Sequence, residues 1–345
     1  MKKHVVIAGT IYPILLYLLY RATYQENIST IFFVEEGMLS LAEYNKNVIV
    51  IKKSKKYKFS AFSKLLFFLW ILNLKIKRVT IWKKYFKNAE IYAQDHFHFS
   101  PILIDKKDYT YISDGFNNFN VYMRTEMYQN SLKWRSKYSF SHSIKKFLYG
   151  PTYKGYFCFN KQCKCMLHEN PAKVPYVQHD IQQIKVDMQK IWNFIDYDKR
   201  QEIYQFFNVT IKELEAVRQY ETILLAQCYE VLGLTEDELI AIYKKALENY
   251  DESKLIIKTH HSGKIDYRKY FPEAFVLDKF IPMQLLMLTG EINNIKTAVT
   301  INSTAISLFD KNTNIVWLGD RVHPKILALC GDNKMEEVVF FPKKS

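Results

Sequence analysis

An acidic residue and a glycine follow one short apolar run of the chain. The run 109–112 is followed by Ser113, Asp114 and Gly115. An acidic side chain at the carboxyl end of a strand lies where ligands of α/β sheets bind, and glycine permits a close approach of backbone or substrate. We therefore interpret Asp114 as a candidate general base that takes a proton from a substrate hydroxyl. The alternative is a plain Asp-Gly turn.

A basic residue and two histidines end a second apolar run. Lys258, His260 and His261 fall within 256–263, and the segment closes on Ser262 and Gly263. A histidine can donate a hydrogen bond to a phosphate or protonate a leaving group. Successive backbone amides in such a turn can form an anion-binding nest. This pattern predicts a phosphate-contacting segment, and the alternative is an ordinary polar loop.

Two hydroxyl residues follow a third apolar run, 298–301. Ser303 and Thr304 precede a predicted helix that begins at Ala305. The amino terminus of a helix presents free N–H groups and a partial positive charge, so adjacent hydroxyls and amides can seat a phosphate. The alternative is an ordinary Ser/Thr N-cap, which is a common feature of helices.

The elements around these motifs alternate short β-branched or aromatic runs with longer helical ones. This alternation is typical of βαβ units and parallel sheets. A helix is predicted to begin near Pro13, and two capping boxes, Thr210 with Glu213 and Thr235 with Glu238, predict two more helix starts. The predicted strands are 5–8, 30–34, 48–51, 79–82, 91–93, 109–112, 222–226, 255–258, 298–301 and 314–318.

The predicted domains are separated by a segment without periodicity. From about 134 to 180 the chain collects glycines and prolines, which predicts a connector or irregular insert. We expect an N-terminal Rossmann-like domain over 1–133, the insert over 134–209 and a C-terminal Rossmann-like domain over 210–345. Two such α/β domains facing a central cleft resemble the GT-B layout of glycosyltransferases, in which ligands lie at the carboxyl ends of the strands.

The three motifs, taken in this order, resemble those of bacterial sialyltransferases of glycosyltransferase family 52. That family includes lipooligosaccharide and capsule sialyltransferases, and it shares the motifs with bacterial polysialyltransferases. The resemblance extends from Val5 to about Leu318. It implies a GT-B fold, CMP-sialic acid as donor, a galactose-type hydroxyl of a surface glycan as acceptor, inversion at the transferred carbon, and no metal or other cofactor.

The resemblance also implies roles for the motif residues. The nucleotide would lie on the second domain, where His260, Ser303 and Thr304 hold the donor phosphate with Lys258 and His261 beside them. Asp114 would deprotonate the acceptor from the first domain.

The motifs of this chain depart from those of the family at several positions. The family usually has two acids before the glycine, where this chain has Ser113, and a His-Pro pair, where His261 follows His260. The literal His-Pro pair at His323 comes too late in the chain. Family members also place an essential acid after the strand matched by 222–226, which makes Glu230 a second candidate for the base. Both candidates stay open at this point.

The composition excludes several classes of protein and leaves several partners open. The 345 residues are 48% hydrophobic and 24% charged, which excludes a disordered or collagen-like chain. Forty-nine Lys and Arg against 35 Asp and Glu give a net charge of +14, which attracts nucleic acid, acidic lipid or a nucleotide-activated substrate. Nucleic acid is not the expected partner, because the chain has no RNP-like string. The alternative functions are a GT-B transferase that uses another activated sugar and a non-catalytic basic protein that binds membrane or nucleic acid. Five cysteines and the lack of a signal peptide predict a cytosolic protein with free thiols.

Two apolar stretches, 11–20 and 65–74, are shorter than the roughly 18 apolar residues of a spanning helix. The second stretch has lysines on both sides, so it is either a segment that rests on anionic lipid at the inner face of the cytoplasmic membrane or a core-facing helix with its lysines in water.

The remaining clusters of polar residues predict little chemistry. Cys158, Cys163, Cys165 and His168 lack the paired spacing of known zinc sites, so no metal is expected there. The segment 94–98 either lines the acceptor side or forms a solvated loop. A homodimer stays open, as does the linkage formed.

Overall fold

A computed structural model describes residues 2–52, 61–114, 161–169, 181–331 and 335. Gly115, Cys158 and the glycines and prolines over 150–175 lie outside the described residues. The chain forms two compact units, Met1–Phe206 and Phe207–Ser345.

The first unit is built on a parallel sheet in the order β3-β2-β1-β4-β5-β6-β7. Its central strands are continuous apolar runs, and Val5, Val6 and Ile7 are fully buried, because helices cover both faces of a parallel sheet. The elements are β1 (Lys2–Ala8), α1 (Ile11–Ala22), β2 (Ile28–Glu35), α2 (Leu39–Tyr44), β3 (Val48–Ile51), α3 (Ala61–Val79), α4 (Lys83–Phe86), β4 (Ala89–Ala93), α5 (Ser100–Ile104), β5 (Tyr109–Ile112), β6 (Cys163–His168), β7 (Gln182–Lys185), α6 (Met188–Phe194) and α7 (Tyr197–Phe206).

The second unit is built on a smaller parallel sheet in the order β10-β9-β8-β11-β12. Its elements are α8 (Ile211–Ala216), β8 (Thr222–Leu225), α9 (Glu236–Leu247), β9 (Leu255–Lys258), β10 (Phe275–Leu277), α10 (Met283–Thr289), β11 (Thr297–Thr300), β12 (Asn314–Trp317) and α11 (Pro324–Cys330).

Each sheet has one point where the strand order reverses. In the first sheet the chain passes from β1 outward to β2 and β3, and then returns to place β4 on the other side of β1. In the second sheet the same reversal separates β8 from β11. The loops at such a point diverge and leave a crevice at the carboxyl ends of the strands, so ligand-binding residues are expected there.

Most predicted elements are confirmed. The strands 48–51, 109–112 and 255–258 have the predicted bounds, and six others overlap the predicted ranges. Both capping boxes are present, with the Thr210 and Thr235 hydroxyls accepting from the backbone N–H groups of Glu213 and Glu238.

The predicted strand 79–82 is wrong. Helix α3 continues to Val79, and the chain then turns, with the Thr80 hydroxyl donating to the carbonyl oxygen of Ile76 at 2.6 Å. The β-branched run misled the prediction, because only Trp82 of this stretch is buried against the core, 5.0 Å from the ring of Phe33. Ile81 is 61% exposed.

The segment expected to be a connector, 134–209, differs in its described part. Strands β6 and β7 extend the first sheet, and helices α6 and α7 complete the first unit, which ends at Phe206. The apolar residues that hold β6 in the sheet, Met166 and Leu167, are few and lie among cysteines, a lysine and a histidine. A strand of this composition has no clear alternation from which to predict it.

The first of the two apolar stretches, 11–20, lies in α1, whose residues are mostly buried in the first unit. Among the described helices, none has the length and apolar content that crossing a membrane requires.

Candidate functional site

Asp114 lies at the strand-order reversal of the first sheet, where loops after three strands meet. Its Oδ1 accepts a hydrogen bond of 2.5 Å from the hydroxyl of Thr10, which follows β1. Its Oδ2 is 3.8 Å from Nε2 of His96, which follows β4. The Asp114 side chain is 11% exposed. The structure therefore places Asp114 among side chains from three loops at the edge where ligands of such sheets bind.

The imidazole beside Asp114 is neutral at pH 7. Burial lowers the pKa of His96 to about 4. Thr10 thus donates a hydrogen bond to the Asp114 carboxylate, and the neutral ring of His96 lies beside it. A carboxylate in this setting can accept a proton from a substrate hydroxyl.

The loop after β4 is part of this site, so its interpretation as a solvated loop is wrong. Gln94 and Asp95 are fully buried. The Gln94 Oε1 atom accepts from the backbone N–H of Gly9 at 2.7 Å, and the Tyr109 hydroxyl donates to Asp95 Oδ2 at 2.7 Å. The loop is buried because β4 lies next to β1 in the middle of the sheet, with neighbours on both sides.

Gly9 makes this packing sterically feasible. A Cβ atom at Gly9 would lie 1.9 Å from the ring of Phe97, far inside the contact distance of two carbon atoms. Glycine therefore lets the ring of Phe97, in the loop after β4, pack against the end of β1 next to Thr10.

Two residues near Asp114 were missed by the sequence analysis. The Tyr12 hydroxyl donates to Oε2 of Glu169 at 2.9 Å. Burial raises the pKa of Tyr12, and the charges of Glu169 and Asp114 raise it further. The signal for Tyr12 was its position just after β1, whereas Glu169 follows a strand that the sequence did not reveal.

His260 lies just after β9 in the second unit, and its ring accepts one hydrogen bond from the backbone. Burial, and then the charge of Lys258, lowers the pKa of His260 to about 4. The backbone N–H of Ser262 donates to Nδ1 of the ring at 3.2 Å. Because Nδ1 accepts, the proton of the neutral ring lies on Nε2, which can donate to a phosphate oxygen.

The other two basic residues of this motif, Lys258 and His261, pack beside His260 in the same segment. Lys258 is 6% exposed, and its Nζ donates to the carbonyl oxygens of Thr259 and Lys279, each at 2.9 Å. Burial lowers the pKa of Lys258 to about 7. These contacts join the ends of β9 and β10, so Lys258 shapes the segment. The ring of His261 lies 4.3 Å from that of His260.

Glu230 fastens the turn that carries His260. Its Oε1 accepts from the backbone N–H of Lys264 at 2.8 Å. Its Oε2 is buried and has no hydrogen-bond partner among the described residues. A Cβ atom at Gly263 would lie 3.1 Å from the His260 carbonyl oxygen and 3.5 Å from Glu230 Oε1, so the turn is tight. These contacts are those of a residue that positions the His260 turn.

The helix expected at Ala305 is a short 3₁₀-helix, Thr304–Leu308. Ser303 is its N-cap, and its hydroxyl accepts from the backbone N–H of Ala305 at 3.3 Å. The Ser303 N–H in turn donates to the Thr300 hydroxyl at 3.0 Å, while the Thr304 side chain is exposed. The predicted phosphate seat is thus one turn of helix and not the start of a long one, because the chain leaves the helix at Phe309.

A cavity of about 490 Å³ opens beside the His260 turn, between the ends of β9 and β10. It is lined by Thr259 and by the residues of 263–268 and 276–279. Its volume is within the range of ligand pockets, roughly 300–1,000 Å³. Lys264, Arg268 and Lys279 bring three positive charges to its walls, and Asp266 and Asp278 bring two negative charges. The cavity thus adjoins the motif after β9 through Thr259 and Gly263, whereas His260 itself is not among the residues that line it.

Two further groups of residues from the sequence analysis are His323 and the cysteine cluster around Cys163. His323 caps α11 by accepting from the N–H of Lys325, and its Nε2 is 3.7 Å from Glu238 Oε1. In the described part of the chain, no three His, Cys, Asp or Glu side chains lie close enough to share a metal ion. Cys163 and Cys165 are free thiols.

Comparisons with known proteins reveal one related sequence and several related folds. No family model matches the chain. An uncharacterized protein of Haemophilus influenzae is 28% identical over 254 residues, which are 71% of this chain and 73% of that protein.

Two solved structures match along almost the whole chain. The GT-B domain of a sialyltransferase from Photobacterium damselae has a TM-score of 0.55 at 11% identity, covering 98% of each chain. The α/β-galactoside α-2,3-sialyltransferase of Photobacterium phosphoreum has a TM-score of 0.53 at 12% identity, again covering 98% of each chain. At these identities the likeness establishes the fold. The chain has an α/β fold of the GT-B class, as the sequence predicted.

Proposed function

We propose that this chain is an inverting, metal-independent glycosyltransferase that moves sialic acid from CMP-sialic acid to a galactose-type hydroxyl of a bacterial surface glycan. The observation that carries the proposal is the position of Asp114, which accepts a hydrogen bond from Thr10 and lies 3.8 Å from His96 at the strand-order reversal of the first sheet. The sialyltransferase folds of the two Photobacterium proteins support the choice of donor. The acceptor glycan would be a lipooligosaccharide or a capsule.

The proposed reaction is a single displacement at the anomeric carbon of sialic acid. Asp114 takes the proton of the acceptor hydroxyl as the acceptor oxygen bonds to that carbon. The bond between the carbon and the CMP phosphate oxygen breaks, and the configuration inverts. His260 stabilises the leaving phosphate through Nε2–H, with Ser303 and Thr304 as further donors. Lys258 and His261 complete the proposed phosphate-binding segment.

We further propose that the protein belongs with the family 52 sialyltransferases. The support is the order of the motifs around Asp114, His260 and Ser303, each of which follows a strand of the structure. Ser113 and His261 are the departures from the family pattern. A GT-B transferase that uses another activated sugar is the second candidate, because the fold is common to both.

The test of this proposal is direct. The protein is incubated with CMP-sialic acid and lactose, and the products are separated and read by mass spectrometry. We expect a product heavier than lactose by one sialyl residue, together with free CMP. In parallel, CMP should raise the melting temperature, because a ligand that binds only the folded state stabilises it. Stabilisation by UDP but not CMP would favour the second candidate. Stabilisation by oligonucleotides alone, with no transfer, would indicate a binding protein.

Transfer is expected to continue in the presence of EDTA. In the proposal the departing phosphate is stabilised by hydrogen bonds from His260, hydroxyls and backbone amides, without a cation. The measurement is the rate of CMP release with and without a millimolar excess of EDTA. A loss of activity that Mg²⁺ or Mn²⁺ restores would contradict this expectation and assign the protein to another class of transferase.

A further inference from the structure

Helix α3 exposes a stripe of apolar side chains. Leu65, Leu69, Leu72, Ile76 and Val79 are between 42% and 61% exposed. Their spacings of four, three, four and three residues place them on one face of the helix, one above the other. The stripe continues at the end of the helix with Ile81, which is 61% exposed. Soluble proteins rarely expose contiguous apolar surface of this kind without a binding partner.

The opposite face of α3 fixes the helix to the first unit. Ile71 and Leu74 are buried in the core of that unit, and Phe67 packs against it. The guanidinium of Arg78 lies 3.6 Å from the centre of the Phe86 ring, and its Nε donates to the Leu103 carbonyl oxygen at 2.8 Å. The exposed stripe is therefore not part of the core of its own unit.

Most of the net positive charge of the sequence comes from the segment that contains this helix. Residues 52–89 contain eleven Lys and one Arg, and no Asp or Glu, which gives +12 of the net +14. Lys83, Lys84 and Lys87 follow the helix and are exposed. The stripe and these exposed lysines, together called the α3 surface, thus combine apolar side chains with positive charge.

We propose that the α3 surface binds the face of a membrane that contains anionic lipids. The apolar stripe would enter the boundary between headgroups and acyl chains, and the lysines would contact the lipid phosphates. This inference is independent of the proposed enzymatic activity.

The charge selects this partner over the alternatives. A second copy would bring the same positive charge to a symmetric interface, and like charges repel there. A nucleic acid would match the charge but would leave the apolar stripe in water.

The test is co-sedimentation of the full chain with vesicles of two compositions. One set contains phosphatidylcholine alone, and the other contains phosphatidylcholine with phosphatidylglycerol. We expect binding to the anionic vesicles to be at least tenfold tighter and to be lost at high salt, because salt screens the lysines. Equal binding to both sets, or no binding to anionic vesicles at low salt, would overturn the proposal. Co-sedimentation that persists at high salt would contradict the proposed contact between the lysines and the lipid phosphates.

Two matched pairs of variants locate the surface. Leu72→Glu with Ile76→Glu should weaken binding at least tenfold, whereas Leu39→Glu should not, although Leu39 is 53% exposed in the same unit. Lys83→Glu with Lys84→Glu should weaken binding similarly, whereas Lys244→Glu with Lys245→Glu, on the exposed side of α9, should have little effect.

The lysine pair changes only exposed side chains, so it tests the proposal even if the apolar variant folds poorly. Binding that survives the changes on α3 would refute the assignment. A dimer in vesicle-free solution that Leu72→Glu dissociates would show that the surface joins two copies instead.

Discussion

The Asp114→Asn variant is expected to transfer sialic acid about a hundred to ten thousand times more slowly than the parent, the range typical of a lost general base. Asparagine has nearly the same shape, and its Oδ1 can still accept from the Thr10 hydroxyl. It cannot take a proton from the acceptor. The measurement is kcat with saturating acceptor, taken beside the dissociation constant of CMP. CMP binding should change little, because the proposed nucleotide contacts lie in the second unit.

Glu230→Gln is the matched control for this result, because Glu230 is the rival for the base. The amide oxygen of glutamine can still accept from the Lys264 N–H, so the turn that carries His260 keeps its anchor. We therefore expect a mild effect on kcat. Glu230→Ala removes the anchor and should cost more. If Glu230→Gln abolished transfer and Asp114→Asn only raised the KM for the acceptor, the two roles would have to be exchanged.

His260→Ala is expected to lower kcat about a hundredfold or more, as removal of a donor to a developing negative charge does. The Nε2–H group is the donor, because Nδ1 is occupied by the N–H of Ser262. His261→Ala should have a smaller effect. The measurement is the rate of CMP release under single-turnover conditions, so that product release does not hide the chemical step.

The pH dependence distinguishes two roles of His260. Burial lowers its pKa to about 4, so the ring of the free protein is neutral at pH 6 and at pH 8. If the neutral ring donates, the ratio of parent to His260→Ala rates should be similar at both pH values. A ratio that falls steeply toward pH 8 would show that a protonated imidazolium is required. A His260→Ala rate within threefold of the parent would remove His260 from the site, and a larger effect at His261 would shift the motif by one residue.

The sequence alone was sufficient to predict the strands that form the centre of both sheets. Val5–Ile7 and Ile256–Ile257 belong to strands that are buried on both faces, so their apolar runs are continuous and unambiguous. The capping boxes at Thr210 and Thr235 were equally clear, because they satisfy helix N–H groups through side chains three residues apart. Local sequence also placed Asp114 and His260 at strand ends, which is where the structure has them.

Where local sequence and packing disagreed, packing decided. The run 79–82 has β-branched residues, yet it ends a helix whose other face is buried in the core. Strands β6 and β7 have little apolar character, and they form because the edge of an existing sheet offers them hydrogen bonds. The free energy that β-strand propensity contributes over four residues is small compared with that of such contacts.

The surroundings of the candidate base depended entirely on the tertiary structure. Asp114 is 104 residues from Thr10 in the chain, and the two meet because β5 and β1 lie in the same sheet with β4 between them. Glu169 approaches Tyr12 across 157 residues for the same reason. The types of the reactive residues and their places at strand ends were thus fixed locally by the sequence. Their partners, burial and shifted pKa values arise from strands far apart in the chain, which only the folded sheet brings together.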